Sequence, residues 1–161
     1  MGADVKGIPA GYDPAQALRL ENQLCFPLYA ASKEVIRRYK PLLDPLSLTY
    51  TQYLCMMVLW EYGPETVGEL GERLLLDSGT LTPVLKKLED KGYVRRQRSG
   101  ADSRQVMVSL TEAGTALKAQ AAEVPFRLAC TFTTLAPAEA RELKRLLEKL
   151  LGRGGAFIGV A

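Results

Sequence analysis

Residues 76–114 read LDSGTLTPVLKKLEDKGYVRRQRSGADSRQVMVSLTEAG, and the division of this stretch into elements decides the fold. After Asp77, Leu81, Leu85 and Leu88 recur at spacings of four and three, the mark of a helix with one face turned inward. Gly92 closes that run, because glycine takes the left-handed conformation that ends a helix without strain. The opposite face carries Thr80, Thr82, Pro83, Lys86 and Lys87, short hydroxyls near the N-terminus and long cations further along. YVRRQR and QVMVSL then read as two strands around SGADSR, a basic hairpin in which Val106 and Val108 alternate with Met107. Between Lys86 and Arg104 seven basic residues stand against three acidic ones, although the whole chain carries only +3. A basic block beside a helix suits phosphate binding, and it also reads as a solvated face.

Working outward, Thr49 or Thr51 is placed to cap a helix that runs through QYLCMMVLWEY to Gly63. That helix is apolar almost all round and is expected to be buried, with Cys55 as a packing residue. Thr66 and Glu69 match a capping box that opens a short helix to about Leu74. Upstream, Leu20, Leu24, Leu28, Ala31, Val35 and Ile36 predict one helix over 15–39, and Pro27 predicts a kink in it beside Cys25. KPLLDPLSL at 40–48 reads as a linker, and the Gly- and Pro-rich residues 1–14 as a loose arm. Downstream, Thr111 caps a long helix interrupted by Pro125. Pro137 opens a last helix with a stripe at Leu143, Leu146, Leu147, Leu150 and Leu151. The expected fold is mainly α with a small β wing, a winged helix-turn-helix. Its regions are an arm (1–14), an N-terminal dimerisation region (15–48), a winged helix-turn-helix DNA-binding region (49–110), dimerisation helices (111–152) and a tail (153–161). The long terminal helices have apolar faces that the winged core cannot cover, so they predict a homodimer with two-fold symmetry.

The same composition narrows the function. With 161 residues and no histidine, the chain offers no Ser-His-Asp triad, Cys-His dyad or HExxH site, and no glycine-rich phosphate loop is present. Three widely spaced cysteines (Cys25, Cys55, Cys130) suit neither a secreted disulfide scaffold nor a zinc cage. No apolar run approaches a membrane span. The expectation is a cytoplasmic, non-enzymatic protein without metal or cofactor.

The 76–114 stretch resembles the signature of MarR-type transcriptional regulators: a recognition helix ending in L-E-x-x-G, a wing carrying D-x-R, then L-T-x-x-G. Residues 20–61, LENQLCFPLYAASKEVIRRYKPLLDPLSLTYTQYLCMMVLWE, further resemble the organic-hydroperoxide-sensing (OhrR) branch, in its two-cysteine type. The resemblance spans about residues 20–125. It implies a homodimeric repressor on double-stranded, palindromic operator DNA, released when an organic hydroperoxide oxidises Cys25. It implies that Tyr39 and Tyr50 donate hydrogen bonds to that thiol across the dimer interface, and that Cys130 is the resolving cysteine of the other subunit. On the DNA side it implies the helix after Asp77 in the major groove and Arg104, oriented by Asp102, in the minor groove. Ser78 and Gly79 would offer backbone N–H groups to a phosphate, and Arg95, Arg96 and Arg98 would make further phosphate contacts. Three rivals remain: a MarR-type regulator answering to a bound phenolic ligand, a thiol peroxidase turning over at Cys25, and a chromosome-coating protein. Without the resemblance, Cys25 reads as a small buried helix residue and Cys130 as a spectator.

Overall fold

The computed structural model describes residues 12–98, 105–132 and 134–152. Expectations for residues 1–11, for the wing tip with Asp102 and Arg104, and for the tail after Gly152 lie outside the described residues. Helix α3 is central; the elements preceding it are α1 (Pro14–Ala17) and α2 (Cys25–Leu43), and α3 itself spans Tyr50–Tyr62. Thr49 caps α3 through a reciprocal bond pair with Gln52, so Thr49 rather than Thr51 is the cap. Gln52, Tyr53, Cys55, Met56, Val58 and Leu59 of α3 are all buried, as its apolar circumference requires. Around it pack α4 (Val67–Leu74) and α5 (Ser78–Asp90), and the Leu81, Leu85 and Leu88 stripe of α5 is fully enclosed.

Gly92, at φ +75°, ends α5 in a Schellman turn: its N–H donates to Glu89 O, and that of Tyr93 donates to Leu88 O. Beyond α5, Lys91 reaches across to donate to the carbonyl of Ser47 and, at 2.9 Å, to the buried Gln52 Oε1. The wing is an antiparallel sheet in the order β1-β3-β2, formed by β1 (Glu65–Thr66), β2 (Val94–Arg98) and β3 (Val106–Leu110). β2 and β3 are the expected hairpin, registered with Val94 opposite Leu110 and Arg96 opposite Val108. Strand β1 is an addition, two residues long and too short to leave a periodic signal. Helix α6 (Glu112–Ala121) buries Leu117 and Ala121, and the Trp60 indole donates to Gly114 O at 2.9 Å.

The N-terminal half departs from the expected single helix over 15–39. Chain 12–24 instead forms α1, capped by Asp13, and a 3₁₀ turn at Leu20–Asn22, and α2 begins only at Cys25. The expected kink at Pro27 is therefore absent. As the third residue of α2, Pro27 occupies the first turn, where its missing N–H would have had no intrahelical partner. Nor is 40–48 a linker. The helix continues through Pro41 to Leu43, a 3₁₀ turn follows at Asp44–Leu46, and Leu43, Leu46 and Leu48 enter the core. Those leucines are anchors whose burial outweighs the turn-like signals of Pro41 and Pro45 beside them.

Past α6 the helix breaks, as Pro125 requires, and restarts as α7 (Val124–Ala129), with Pro125 in its first turn. Val124 and Leu128 bury α7 against the body. The last helix, α8 (Pro137–Leu150), has no buried residue, and Leu143, Leu146, Leu150 and Leu151 of its stripe are exposed. Leu18, Leu20, Leu24, Phe26 and Phe126 are exposed as well, with Leu18 at 85% and Phe126 at 74%. So much bare apolar surface at both ends of one chain marks an interaction face.

Gly114 is where wing and α6 approach most closely: a Cβ there would stand 2.0 Å from Tyr93 O. Gly114→Ala must push backbone from backbone and is expected to lower unfolding free energy by at least about 2 kcal/mol. Gly68→Ala, whose Cβ would meet only Thr66 Oγ1 at 3.9 Å, is expected to be neutral or slightly stabilising. Urea unfolding of the two variants compares them directly.

Candidate functional site

Cys25 is the first residue of α2 and is exposed, with no side-chain cap in front of it. Cys55 differs in being enclosed in α3, where burial pushes its thiol up to about 12 and keeps it protonated.

Tyr39 lies on the same helix as Cys25, fourteen residues on, a rise of about 21 Å. Tyr50 is the first residue of α3, and its ring centre is 4.6 Å from that of Tyr39; Tyr53 follows at 5.9 Å from Tyr39. Burial, then the neighbouring phenols, push the Tyr39 hydroxyl up to about 12, and burial raises that of Tyr50. Both therefore keep their protons at neutral pH and can act as donors. Among the described residues neither hydroxyl has a hydrogen-bond partner. The structure thus brings the two expected tyrosines together and holds Cys25 of the same chain far from them.

Cys130 caps the C-terminus of α7 and is exposed, its N–H donating to Phe126 O at 3.1 Å. The next residue, Thr131, accepts a hydrogen bond at its carbonyl from Arg38, which also donates to Glu34. This places the Cys130 turn beside the second half of α2, roughly 14–20 Å along the axis from Cys25 of the same chain. A disulfide needs Cα atoms within about 7 Å, so the tie disfavours an intrachain bond.

The other face of the molecule is basic. Ser78, Gly79, Thr80, Thr82, Pro83, Lys86 and Lys87 are all exposed on α5, opposite its leucine stripe. Asp77 caps this helix: Oδ1 accepts from the Thr80 N–H and Oδ2 from the Thr80 hydroxyl, both at 2.8 Å. Those bonds hold the Asp77 carboxyl below the usual range. The carboxylate thus already occupies the helix N-terminus beside Ser78 and Gly79. Thr82 donates its hydroxyl to Ser78 O.

On the wing, Arg95 and Arg98 are exposed, whereas Arg96 is gripped by Glu89 through its backbone N–H at 3.0 Å and its guanidinium at 2.6 and 2.9 Å. That grip, which also keeps the Glu89 carboxyl low, ties β2 to the end of α5. Sequence reasoning counted Glu89 only as a negative charge, and a partner seven residues away across a turn leaves no periodic signal. A second tie it missed joins Arg73 to the buried Glu65 at 2.9 Å, with the Arg73 guanidinium stacked 3.7 Å from the Tyr62 ring centre.

An enclosed scaffold, a helix with lysines on its exposed face beside a three-stranded wing sheet with exposed arginines, and bare apolar termini together define a winged-helix DNA-binding protein. Residues 37–121 match the family described as transcriptional regulator SarA/Rot. Over 133 residues the chain is 49% identical to the organic hydroperoxide resistance transcriptional regulator of Bacillus subtilis, covering 83% of this chain and 88% of that one. Its backbone is similar to that of AbfR from Staphylococcus epidermidis, at 36% identity. For reduced AbfR bound to DNA the TM-score is 0.71, with 86% of this chain and 96% of that one covered. For the disulfide-formed AbfR it is 0.57, with 86% and 91% covered. The chain belongs to the SarA/Rot family of transcriptional regulators, and within the MarR-type winged-helix proteins to the organic-hydroperoxide-regulator (OhrR) type.

The Asp77 cap carries a pH signature. A carboxyl lowered by folding adds stability above its unfolded value and loses it as pH falls through the folded one. Asp77→Ala is therefore expected to melt below the wild type at pH 7, with the gap closing as pH drops under the ordinary Asp value of 3.8. Paired thermal melts at pH 7, 4 and 3 measure it.

Proposed function

We propose that this protein is a homodimeric transcriptional repressor that leaves its operator when an organic hydroperoxide oxidises Cys25. One observation carries the sensing half of this reading. An exposed thiol at a helix N-terminus and a pair of half-buried, protonated phenols share one rigid chain, with Cys25 and Tyr39 about 21 Å apart along α2. They can meet only if a second copy, related by a two-fold axis, lays its Cys25 beside this chain's Tyr39 and Tyr50. The bare apolar surface of the terminal segments supplies such an interface, so residues 15–48 and 111–152 are assigned to the dimer and 49–110 to DNA.

Cys25 attacks as the thiolate, stabilised by the two phenol donors. Its sulfur takes the distal peroxide oxygen, the O–O bond breaks, and the departing alkoxide picks up a proton, leaving Cys25–SOH and an alcohol. The sulfenic acid then condenses with the thiol of the partner subunit's Cys130, releasing water. In support, the relative from Bacillus subtilis is named for organic hydroperoxide resistance, and AbfR has been seen reduced on DNA and with a disulfide formed. The chain described here is closer to the DNA-bound form of AbfR than to its disulfide form.

On DNA, the exposed face of α5 enters the major groove, with Thr80, Thr82 and Pro83 near base edges and Lys86 and Lys87 near phosphates, while Ser78 and Gly79 face the backbone. Arg95 and Arg98 add phosphate contacts, Arg96 aligns the wing through Glu89, and Arg104 with Asp102 reads the minor groove. The protein acts in the cytoplasm, where the DNA is.

Footprinting on the protein's own upstream DNA tests the reading. Protection by the reduced protein is expected to vanish on adding an organic hydroperoxide, and protection that persists would sink the proposal. Cys25→Ser is expected to bind and stay bound in peroxide, and Tyr39→Phe to bind but oxidise more slowly. On non-reducing gels, oxidised wild type is expected to run as a covalent dimer that Cys130→Ser abolishes. Lys86→Ala should reduce the slope of log affinity against log salt by about one, with unchanged sequence preference.

A further inference from the structure

Arg38 joins its own helix to the turn after α7. Its Nε donates to Glu34 Oε1 at 2.8 Å, an Nη donates to the carbonyl of Thr131, and its guanidinium carbon stands 4.9 Å from the centre of the Phe132 ring. Thr131 and Phe132 follow Cys130 directly. The turn they form is otherwise held by short-range bonds: the Thr131 N–H and hydroxyl donate to Leu128 O at 2.8 and 2.7 Å, and the Phe132 N–H donates to Ala129 O at 3.1 Å. The arginine therefore fastens the turn carrying Cys130 to the helix carrying Tyr39, its immediate neighbour.

We propose that Arg38 is a positioning residue that holds the Cys130 turn on α2 in the reduced protein and so sets the rate of disulfide formation. This rests on the assignment of Cys130 as the thiol that condenses with oxidised Cys25. Disulfide geometry is narrow in both Cα separation and approach of the two Cβ atoms. While the Thr131 carbonyl and the Phe132 ring are fastened, the turn cannot swing toward an incoming sulfenic acid. Release needs the carbonyl to leave the guanidinium and the ring to unstack. The condensation that follows needs no further oxidant: the Cys25 sulfur loses its hydroxyl and is reduced, the Cys130 thiol loses its proton and its sulfur is oxidised, the S–S bond forms and water departs. Peroxide has already supplied the oxidation in the preceding step. Arg38 touches neither sulfur of its own chain, and the first step is expected to proceed without it.

The gate has a use. A slow second step lets the sulfenic acid persist, and continued peroxide can then carry it up the oxidation ladder instead of into the reversible disulfide.

Two rates separate the gate from a general loss of structure. Full-length protein is mixed with one equivalent of cumene hydroperoxide and quenched over time, following loss of the free Cys25 thiol and growth of the covalent dimer on non-reducing gels. In Arg38→Met, which keeps the stem and removes the fork, thiol loss is expected within about twofold of wild type while the dimer forms about tenfold faster. Arg38→Lys, which keeps one cationic donor, is expected to fall between. Before peroxide, amide exchange over residues 128–132 should rise in Arg38→Met. Unchanged dimer formation in both variants overturns the gate alone, as does a parallel change in both rates. A wild type that forms no dimer, or one that Cys130→Ser fails to remove, overturns the Cys130 assignment and the gate with it.

Discussion

Helix α3 has no polar side to turn to water, and the other elements pack around that fact. Its buried residues run from Gln52 to Leu59, and its two ends do different things. The first turn carries Tyr50 against Tyr39 of α2, and its buried Gln52 takes the Lys91 ammonium from the end of α5. Near the last turn, Trp60 bonds α6 through both its indole and its carbonyl, the latter accepting from Lys118 at 3.0 Å. One enclosed helix thus stands between the tyrosine pair and the basic face. A shift at the tyrosines has a packed path to α5 because interiors at crystal-like density transmit displacement rather than absorb it.

The elements that were legible in the sequence are those whose ends carry a chemical mark. Thr49, Thr66 and Thr111 cap, Gly92 terminates, and the leucines between Leu81 and Leu88 keep a strict helical period, so α3 to α6 and the hairpin could be read directly. The region before Tyr50 was misread because proline has two meanings. Pro27 near a helix start is harmless, yet in a run already taken as helical it reads as a kink. Pro41 and Pro45 suggested a linker where Leu43, Leu46 and Leu48 are core. The pairing of Tyr39 with Tyr50 left no periodic trace, and it entered only through the family likeness. Ties such as Glu89 to Arg96 and Arg38 to Thr131 depend on which side chains a turn happens to bring together, and composition does not encode that.

The basic face is set before any nucleic acid arrives. Asp77 and Thr80 fix the entry of α5, the Schellman turn at Gly92 fixes its exit, and Glu89 holds the wing strand to it through Arg96. Lys86, Lys87, Arg95 and Arg98 stand exposed on this frame. A fixed backbone carrying exposed cations suits contacts that follow phosphates, where position matters more than exact geometry.

The distance along α2 between Cys25 and Tyr39 has a genetic consequence. Because the thiol and its donors come from different chains in the proposed dimer, each sensing centre is a shared property. Consider a cell making two defective alleles, one without the Cys25 thiol and one without the Tyr39 hydroxyl. In their mixed dimer one centre inherits both lesions, and the other draws an intact thiol from one allele and an intact phenol from the other. A sensor that fails alone and one that answers slowly would complement each other, a behaviour that follows from a site split between subunits.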